Sequence, residues 1–303
     1  MAQTNNQIVE IVQFTDPVCT WCWGSEPILR KLEESYGDKL KFSYVMGGLV
    51  KNVFEFYDSH NDIGGDPESS NKQVAKHWLD ASARHGMPVK TDGFNLLSKE
   101  YPSTYPQNIA YKAAQMQGEE IASKFLRRIR EASAAEAKLT SRTEVLIELA
   151  SETGLDISQF LDDFTNGKAQ KAFEEDLYTT KQFGVNGFPT FLLKSGEKSI
   201  LLRGYQQYNT FKAVINQLTS GKIQEIEVLA NENIIFEFIL KHNAVAPAEI
   251  KTAFSLSDEQ MNGFLDSLFQ KQRIKKREAG NGYFVLPQEN TLMCNAETAV
   301  CEG

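Results

Sequence analysis

The feature that most constrains this chain is a short apolar run that stops at Asp16-Pro17 and leads directly into Cys19-Thr20-Trp21-Cys22. Residues 8–14 read I-V-E-I-V-Q-F. They are β-branched and mostly apolar, as in a buried strand. From residue 19 to 36 the pattern turns helical. Ile28, Leu29, Leu32 and Tyr36 share one face, Gly37 is placed to end the helix, and Pro27 predicts a kink inside it. Residues 40–46 alternate like a second strand and stop at Gly47-Gly48. Strand, helix and strand in this order form a unit with a crossover helix and two parallel strands. Cys19 then sits at a helix N-terminus, where unpaired N–H groups and a partial positive charge favour a thiolate.

Residues 70–183 lack a strand and divide into helical stretches at 74–84, 108–117, 119–132, 142–153, 157–166 and 169–183. Thr140 or Ser141 is placed to cap the fourth of these. Strand character returns at 188–193, turns at Ser195-Gly196-Glu197, runs back over 199–203 and ends in a helix over 211–218. That is the layout of a thioredoxin fold with a large all-helical insertion, in the α/β class. Residues 231–241, 247–254 and 257–271 predict three further helices, the last opened by a Ser257–Gln260 capping box. A ribbon turning at Gly280-Asn281-Gly282 follows. Three small helices and a hairpin give the order of a small winged-helix-like α+β domain. The expected division is 1–65 with 181–221 for the thioredoxin fold, 66–180 for the insertion, 222–290 for the winged-helix-like domain and 291–303 for a flexible tail.

With 32 basic against 40 acidic residues, a net charge of -8 and no apolar run near the length of a membrane span, the chain has no footprint for a nucleic acid or a membrane. Residues 1–7 carry no secretory signature, so the expectation is a cytoplasmic protein. There a C-x-x-C pair points to catalysis or metal binding rather than a structural bridge.

The pair can move two electrons. Cys19 captures a sulfur, and Cys22, one turn on, displaces it. Trp21 and Trp23 would give apolar cover. A metal half-site, or two unrelated buried cysteines, is the competing account. Pro189, at the start of a strand, is a candidate cis-proline. With Phe188 and Thr190 it would leave backbone free to hold an extended substrate beside Cys19.

Asp16-Pro17-Val18-Cys19-Thr20-Trp21-Cys22, Pro27 and Gly187-Phe188-Pro189-Thr190 together resemble the DsbA-like thioredoxin superfamily. The chain is most similar to the FrnE-like branch of dithiol–disulfide oxidoreductases. The segment from Glu144-Val145-Leu146 to Phe183-Gly184-Val185 also looks like that branch's helical insertion and return to the sheet. The resemblance covers residues 8–220. It implies Cys19 as nucleophile, Cys22 as resolving thiol and Pro189 as the cis-proline. Thr20 departs from the Pro usual in the branch, which leaves the direction of electron flow open. Kappa-class glutathione transferases and hydroxychromene-carboxylate isomerases share the superfamily but carry Ser in place of a redox pair.

The C-terminal ribbon carries Lys271, Arg273, Lys275, Lys276 and Arg277, but the helix that would enter a DNA groove carries Asp258, Glu259 and Asp266. A protein contact, a homodimer surface or a solvated basic face is preferred over nucleic acid. Cys294 and Cys301 form a candidate second redox pair; a zinc site from all four cysteines ranks below it. His60, His77, His85 and His242 show no ligand spacing, and Phe54, Phe56, Tyr57, Tyr101 and Tyr105 are candidates to line a groove.

The expected function is thiol–disulfide exchange on protein or small thiol substrates, with no cofactor and no metal. The rivals are a thioredoxin-fold adaptor with a redox-sensitive or zinc-binding C-x-x-C, and a glutathione-dependent transferase or isomerase of the kappa-like class.

Overall fold

The computed structural model describes residues 8–59 and 61–288. Cys294, Cys301 and the expected tail, along with His60, lie outside the described residues.

Strand β1 (Val9–Thr15) leads into α1 (Thr20–Gly24) and α2 (Glu26–Tyr36), and β2 (Leu40–Met46) follows. Next come the two-residue strands β3 (Tyr57–Asp58) and β4 (Ile63–Gly64). The helical block is α3 (Pro67–His85), α4 (Tyr105–Gln115), α5 (Glu119–Glu136), α6 (Thr143–Glu152), α7 (Ile157–Thr165) and α8 (Lys168–Gln182). The chain then returns through β5 (Thr190–Ser195), β6 (Lys198–Arg203) and α9 (Tyr208–Thr219). It ends in α10 (Glu232–His242), α11 (Pro247–Ala253), α12 (Asp258–Gln270), β7 (Ile274–Ala279) and β8 (Gly282–Pro287).

The main sheet has the order β2-β1-β5-β6. β1 runs parallel to β2, from Val9 opposite Leu40 to Thr15 opposite Met46, and antiparallel to β5. Alternation along β1 sorts its residues between two faces. Val9 and Ile11 join Leu32 of α2 and Phe211 and Ile215 of α9, while Val12 and Phe14 pack with Val185 and Leu192. By the same alternation Gln13 and Thr15 continue the first face as buried polar positions. This is the expected thioredoxin fold with its helical insertion. The insertion has its own core, built from Phe125, Ile129, Leu146, Phe160 and Phe173, which also takes in Met46 of β2.

Four local expectations need correction. Pro27 does not kink one helix; the helix breaks before it. Ser25 ends α1 by donating to the Cys22 carbonyl at 3.2 Å, and Pro27 falls in the first turn of α2, where its missing N–H is harmless. The first helical stretch does not begin at residue 74: β3 and β4 pair ahead of it, and α3 opens at Pro67. Asp66 caps it, accepting from the Glu68 and Ser69 N–H groups. Its first turn is polar, so the apolar period starts late. Neither Thr140 nor Ser141 caps α6. Their hydroxyls are spent on Ser133 at 2.7 Å and on the Leu96 carbonyl at 3.2 Å. The basic ribbon is also not a free face. Lys271 and Arg273 pair with Glu232, Lys276 pairs with Glu278, and Arg277 reaches Glu131 on α5.

The C-terminal helices and hairpin carry their own core of Ile235, Phe238, Ile250, Leu265 and Val285. Two of the places where they are fastened to the rest of the chain involve the hairpin. Trp23, Trp78, Met87 and Val89 pack with Ala246, Ala279 and Phe284. The Gly280-Asn281 turn trades hydrogen bonds with Val89, N–H to Oδ1 at 2.8 Å and N–H to carbonyl at 2.9 Å. Gly280 is required there: its φ is +56°, and a Cβ would fall 2.1 Å from the Val89 carbonyl oxygen. No helix among the described residues is long and apolar enough to cross a membrane.

Candidate active site

β1 delivers the chain to Asp16, which is fully buried and ties two loops together. Its carboxylate accepts from the N–H groups of Val18 (3.0 Å) and Leu49 (2.7 Å), from Asn108 Nδ2 (2.8 Å) and from the Thr104 hydroxyl (3.1 Å). Burial nevertheless pushes its carboxyl above the ordinary value. Cys19 is the N-cap of α1, and its Sγ accepts from the Cys22 N–H at 3.3 Å. The Cys19 thiol also lies 3.5 Å from the Phe188 carbonyl oxygen, to which it donates. Phe188–Pro189 is a cis peptide bond. Thr190 opens β5, pairs with Phe14 and donates to the Gly187 carbonyl at 2.9 Å. The Phe188 ring lies over Gly47, where a Cβ would come within 1.9 Å of it. Cys19, Cys22, Trp21, Phe188, Pro189 and Thr190 thus gather at one end of the sheet.

The two sulfurs differ. Cys19 is 6% exposed and lines a cavity of about 620 Å³, while Cys22 is 0% exposed and does not reach it. Both thiols are free. Burial pushes the Cys19 thiol well up, and the neighbouring Cys22 and Asp16 charges add to that against the Cys22 N–H bond. Burial also opposes ionisation of Cys22. Its hydrogen bond from Cys19, the Arg130 charge, the Thr15 hydroxyl and the Asp16 N–H together bring it below its ordinary value. Of the groups that lower it, Arg130 alone is far away in the chain.

Arg130 of α5 is one of these groups. It is 1% exposed; it donates to Glu26 Oε1 at 2.5 Å, to the Thr15 hydroxyl at 2.7 Å and to Gln13 Oε1 at 3.2 Å. Glu26 Oε2 accepts from Arg127 at 3.3 Å, and Arg127 grips Glu249 of α11 with two donors. Burial works against the Glu26 charge, but Arg130, Arg127 and Arg30 hold its carboxyl at about 2. Nothing in the sequence drew attention to these residues, because 101 or more positions separate the partners.

The aromatic surroundings also differ from expectation. Trp21 borders the cavity, with its ring centroid 6.2 Å from His77, 6.0 Å from His85 and 5.6 Å from Tyr205. Two of the scattered histidines therefore meet at the site. His85 accepts from the Met87 N–H through Nδ1, and burial lowers it to about 4. Burial likewise lowers His77. Trp23 gives no cover to an exposed sulfur. It is buried, donates to the Pro88 carbonyl at 2.9 Å and faces Phe284 and Arg127. Phe56, Tyr57 and Trp78 line the cavity, whereas Tyr105 packs against Phe173 in the insertion core. Among the described residues no three His, Cys, Asp or Glu side chains gather to hold a metal.

Residues 12–213 match the family model described as thioredoxin. Over 90% of its length the chain is similar, at 28% identity, to a ClpXP adapter protein SpxH of Halalkalibacterium halodurans, of which it covers 87%. Among solved structures, the fold is shared with a candidate protein disulfide isomerase of Nitrosomonas europaea. That likeness has a TM-score of 0.60 at 20% identity and covers 71% of this chain and 99% of that one. It is shared also with the cytosolic disulfide reductase DsbM of Pseudomonas aeruginosa, with a TM-score of 0.53 at 23% identity and 70% and 98% coverage.

Proposed function

This chain belongs to the thioredoxin family, with the DsbA-like arrangement of a helical block set inside the fold; from that premise we propose that it exchanges thiols and disulfides through Cys19 and Cys22. One observation carries the reading: Cys19 faces an open cavity beside the Phe188 carbonyl, with Cys22 buried directly behind it. In the reductive direction Cys19 gives its proton to solvent, and the Cys19 thiolate attacks a substrate disulfide, releasing one thiolate that takes up a proton. Cys22 then loses its proton and attacks the mixed disulfide. The Cys19–Cys22 disulfide forms and the second substrate thiolate leaves, so two electrons have moved to the substrate. Phe188, Pro189 and Thr190 supply the wall along which an extended segment lies, and Trp21 supplies an apolar rim. No organic cofactor enters. The compartment that suits a reductive dithiol is the cytoplasm.

Insulin disulfide reduction by the native chain, with dithiothreitol as reductant, tests this. Turnover is expected to vanish in Cys19→Ser, and Cys22→Ser is expected to accumulate a mixed disulfide on Cys19. Equal turnover by the native chain and Cys19→Ser would end the proposal.

A second reading has its own support. The relatives named ClpXP adapter proteins match about nine-tenths of this chain, beyond the thioredoxin portion and into the C-terminal helices. On this reading the chain holds a client protein, and the cysteine pair makes that grip sensitive to redox state. Client degradation by ClpXP that is stimulated by the native chain and by Cys19→Ser alike would favour the adaptor over the enzyme.

A further inference from the structure

The cavity that Cys19 faces has a one-sided chemistry. Leu49, Val50, Phe56, Tyr57, Trp78 and Leu97 line it, brought there by the loop after β2, the approach to β3, helix α3 and the stretch behind that helix. Among the described residues no Lys or Arg lines it, and the one carboxylate in its wall is Asp58, which accepts from Asn61 Nδ2 at 2.6 Å. His77 also lines it, and burial lowers that ring, so it is neutral at pH 7. Lys51 follows Val50 in the chain, and the Arg84 guanidinium lies 5.9 Å from the Trp21 ring centroid, but neither is a lining residue. The apolar wall is tied to the loop that carries the sulfur. Asp16 accepts from the Val18 N–H at 3.0 Å and from the Leu49 N–H at 2.7 Å, and the Thr104 hydroxyl bridges Asp16 to the Val50 N–H. The wall therefore stands in place before a substrate arrives, and no ordering cost is set against its selectivity. The volume of about 620 Å³ falls within the range of about 300–1,000 Å³ that suits a ligand of several groups, and is more than one thiol side chain fills.

We propose that this cavity selects a protein disulfide whose cysteine is flanked by large apolar side chains in an extended segment, and discriminates against oxidised glutathione. The proposal rests on the exchange reading above and names the substrate class of the same site. An apolar flank leaves water for Phe56, Trp78 and Leu97 and gains in proportion to the area it buries. The exposed Leu49 and Tyr57 carry that surface out to the mouth of the cavity. Glutathione brings carboxylates at both ends and a net negative charge. Inside this wall they would give up water with no lining cation to answer them, beside the carboxylate of Asp58. Selectivity is the difference between the two, so the attraction for one and the penalty on the other add.

The test presents the reduced full chain at pH 7 with symmetrical disulfides of end-blocked peptides, Ala-Phe-Cys-Leu-Ala, Ala-Ser-Cys-Ser-Ala and Ala-Glu-Cys-Glu-Ala, and with oxidised glutathione. The initial rate of Cys19–Cys22 disulfide formation is read by acid quench, alkylation and mass spectrometry. In each run two electrons pass from the dithiol to one probe disulfide, which leaves as a pair of thiols. Every rate is divided by that of dithiothreitol with the same probe, so the probe's intrinsic reactivity cancels. The Phe-Cys-Leu probe is expected to react about tenfold or more faster than oxidised glutathione and than the Glu-Cys-Glu probe, as burial of a large apolar side chain allows, with the Ser-Cys-Ser probe between them. Leu49→Lys sets a cation at an exposed position of the wall. It is expected to lower the ratio of the apolar probe to glutathione at least twofold by raising the glutathione rate, which a loss of stability would not do. A ratio under threefold in the native chain, or a ratio that Leu49→Lys moves by less than twofold, would overturn the selection while leaving exchange intact. A native chain that reduces none of the probes overturns both.

Discussion

Arg127 closes a two-pronged ion pair on Glu249, at 2.6 and 2.9 Å, across the seam between the helical insertion and the C-terminal helices. Glu249 is 0% exposed and also accepts from the Ala246 N–H at 2.8 Å, so it holds its own helix start as well as its neighbour. Removing the Glu249 charge leaves the buried Arg127 only its longer contacts to Glu26 and Glu131, which costs up to about 3 kcal/mol. Glu249→Gln should therefore lower the urea midpoint and open the chain to proteolysis near residues 222–231. A loss under about 1 kcal/mol would rank this pair with ordinary surface bridges.

The unequal burial of the two sulfurs sets their reactivity. In the reduced, folded protein, iodoacetamide should label Cys19 and leave Cys22 unmodified until denaturant is added. Peptide mapping after timed quenching reads this directly. Labelling of Cys22 as fast as Cys19 would mean that the inner sulfur is not closed off.

Much of this arrangement can be read from the chain itself. β1 and β2 are short apolar runs, the α5 to α8 helices carry regular apolar periods, and the C-x-x-C pair and Pro189 are chemical signatures that survive without neighbours. What escaped has a common cause. Glu26, Arg127, Arg130 and Glu249 look like surface charges on amphipathic helices, and only tertiary packing buries them together. Helix periodicity says which face is covered and not what covers it, so it could not send Trp23 to Phe284 or bring His77 and His85 to Trp21. An acidic residue three positions after a proline-led helix start, as Glu249 and Ala246 show, was the one local hint.

Gly47 makes the Phe188 wall possible. Gly47→Ala places a methyl group within the ring's volume, so Phe188 must swing away from Cys19. Overpacking of this kind costs about 1–3 kcal/mol. Insulin reduction should fall about tenfold or more, while the thermal midpoint moves by only several degrees. Unchanged turnover would remove Phe188 from the substrate wall.

Acid should act on the fold in two stages. His85 is held at about 4, below its ordinary 6.5, so the folded chain binds fewer protons than the unfolded one across that interval. Stability then falls as pH drops from 6.5 to 4, by on the order of 3 kcal/mol. Glu26, held at about 2 against an ordinary 4.5, contributes stability above 4.5 that is lost as pH falls toward 2. His85→Asn keeps an acceptor for the Met87 N–H and should flatten the first interval only. Urea denaturation at pH 7, 5.5 and 4 measures the slope, and an unaltered slope in the variant would remove His85 as its source.

Trp23 lies between the inner cysteine and the hairpin, its indole against Phe284 on one side and the Arg127 guanidinium on another. The thioredoxin portion is therefore not a module that can be lifted out intact. A chain cut after residue 221 would leave that indole bare to water next to Cys22, and would strip Arg127 of Glu249, its two-pronged partner, in the same stroke. Whoever trims this protein to its recognisable fold will be handling a different redox centre.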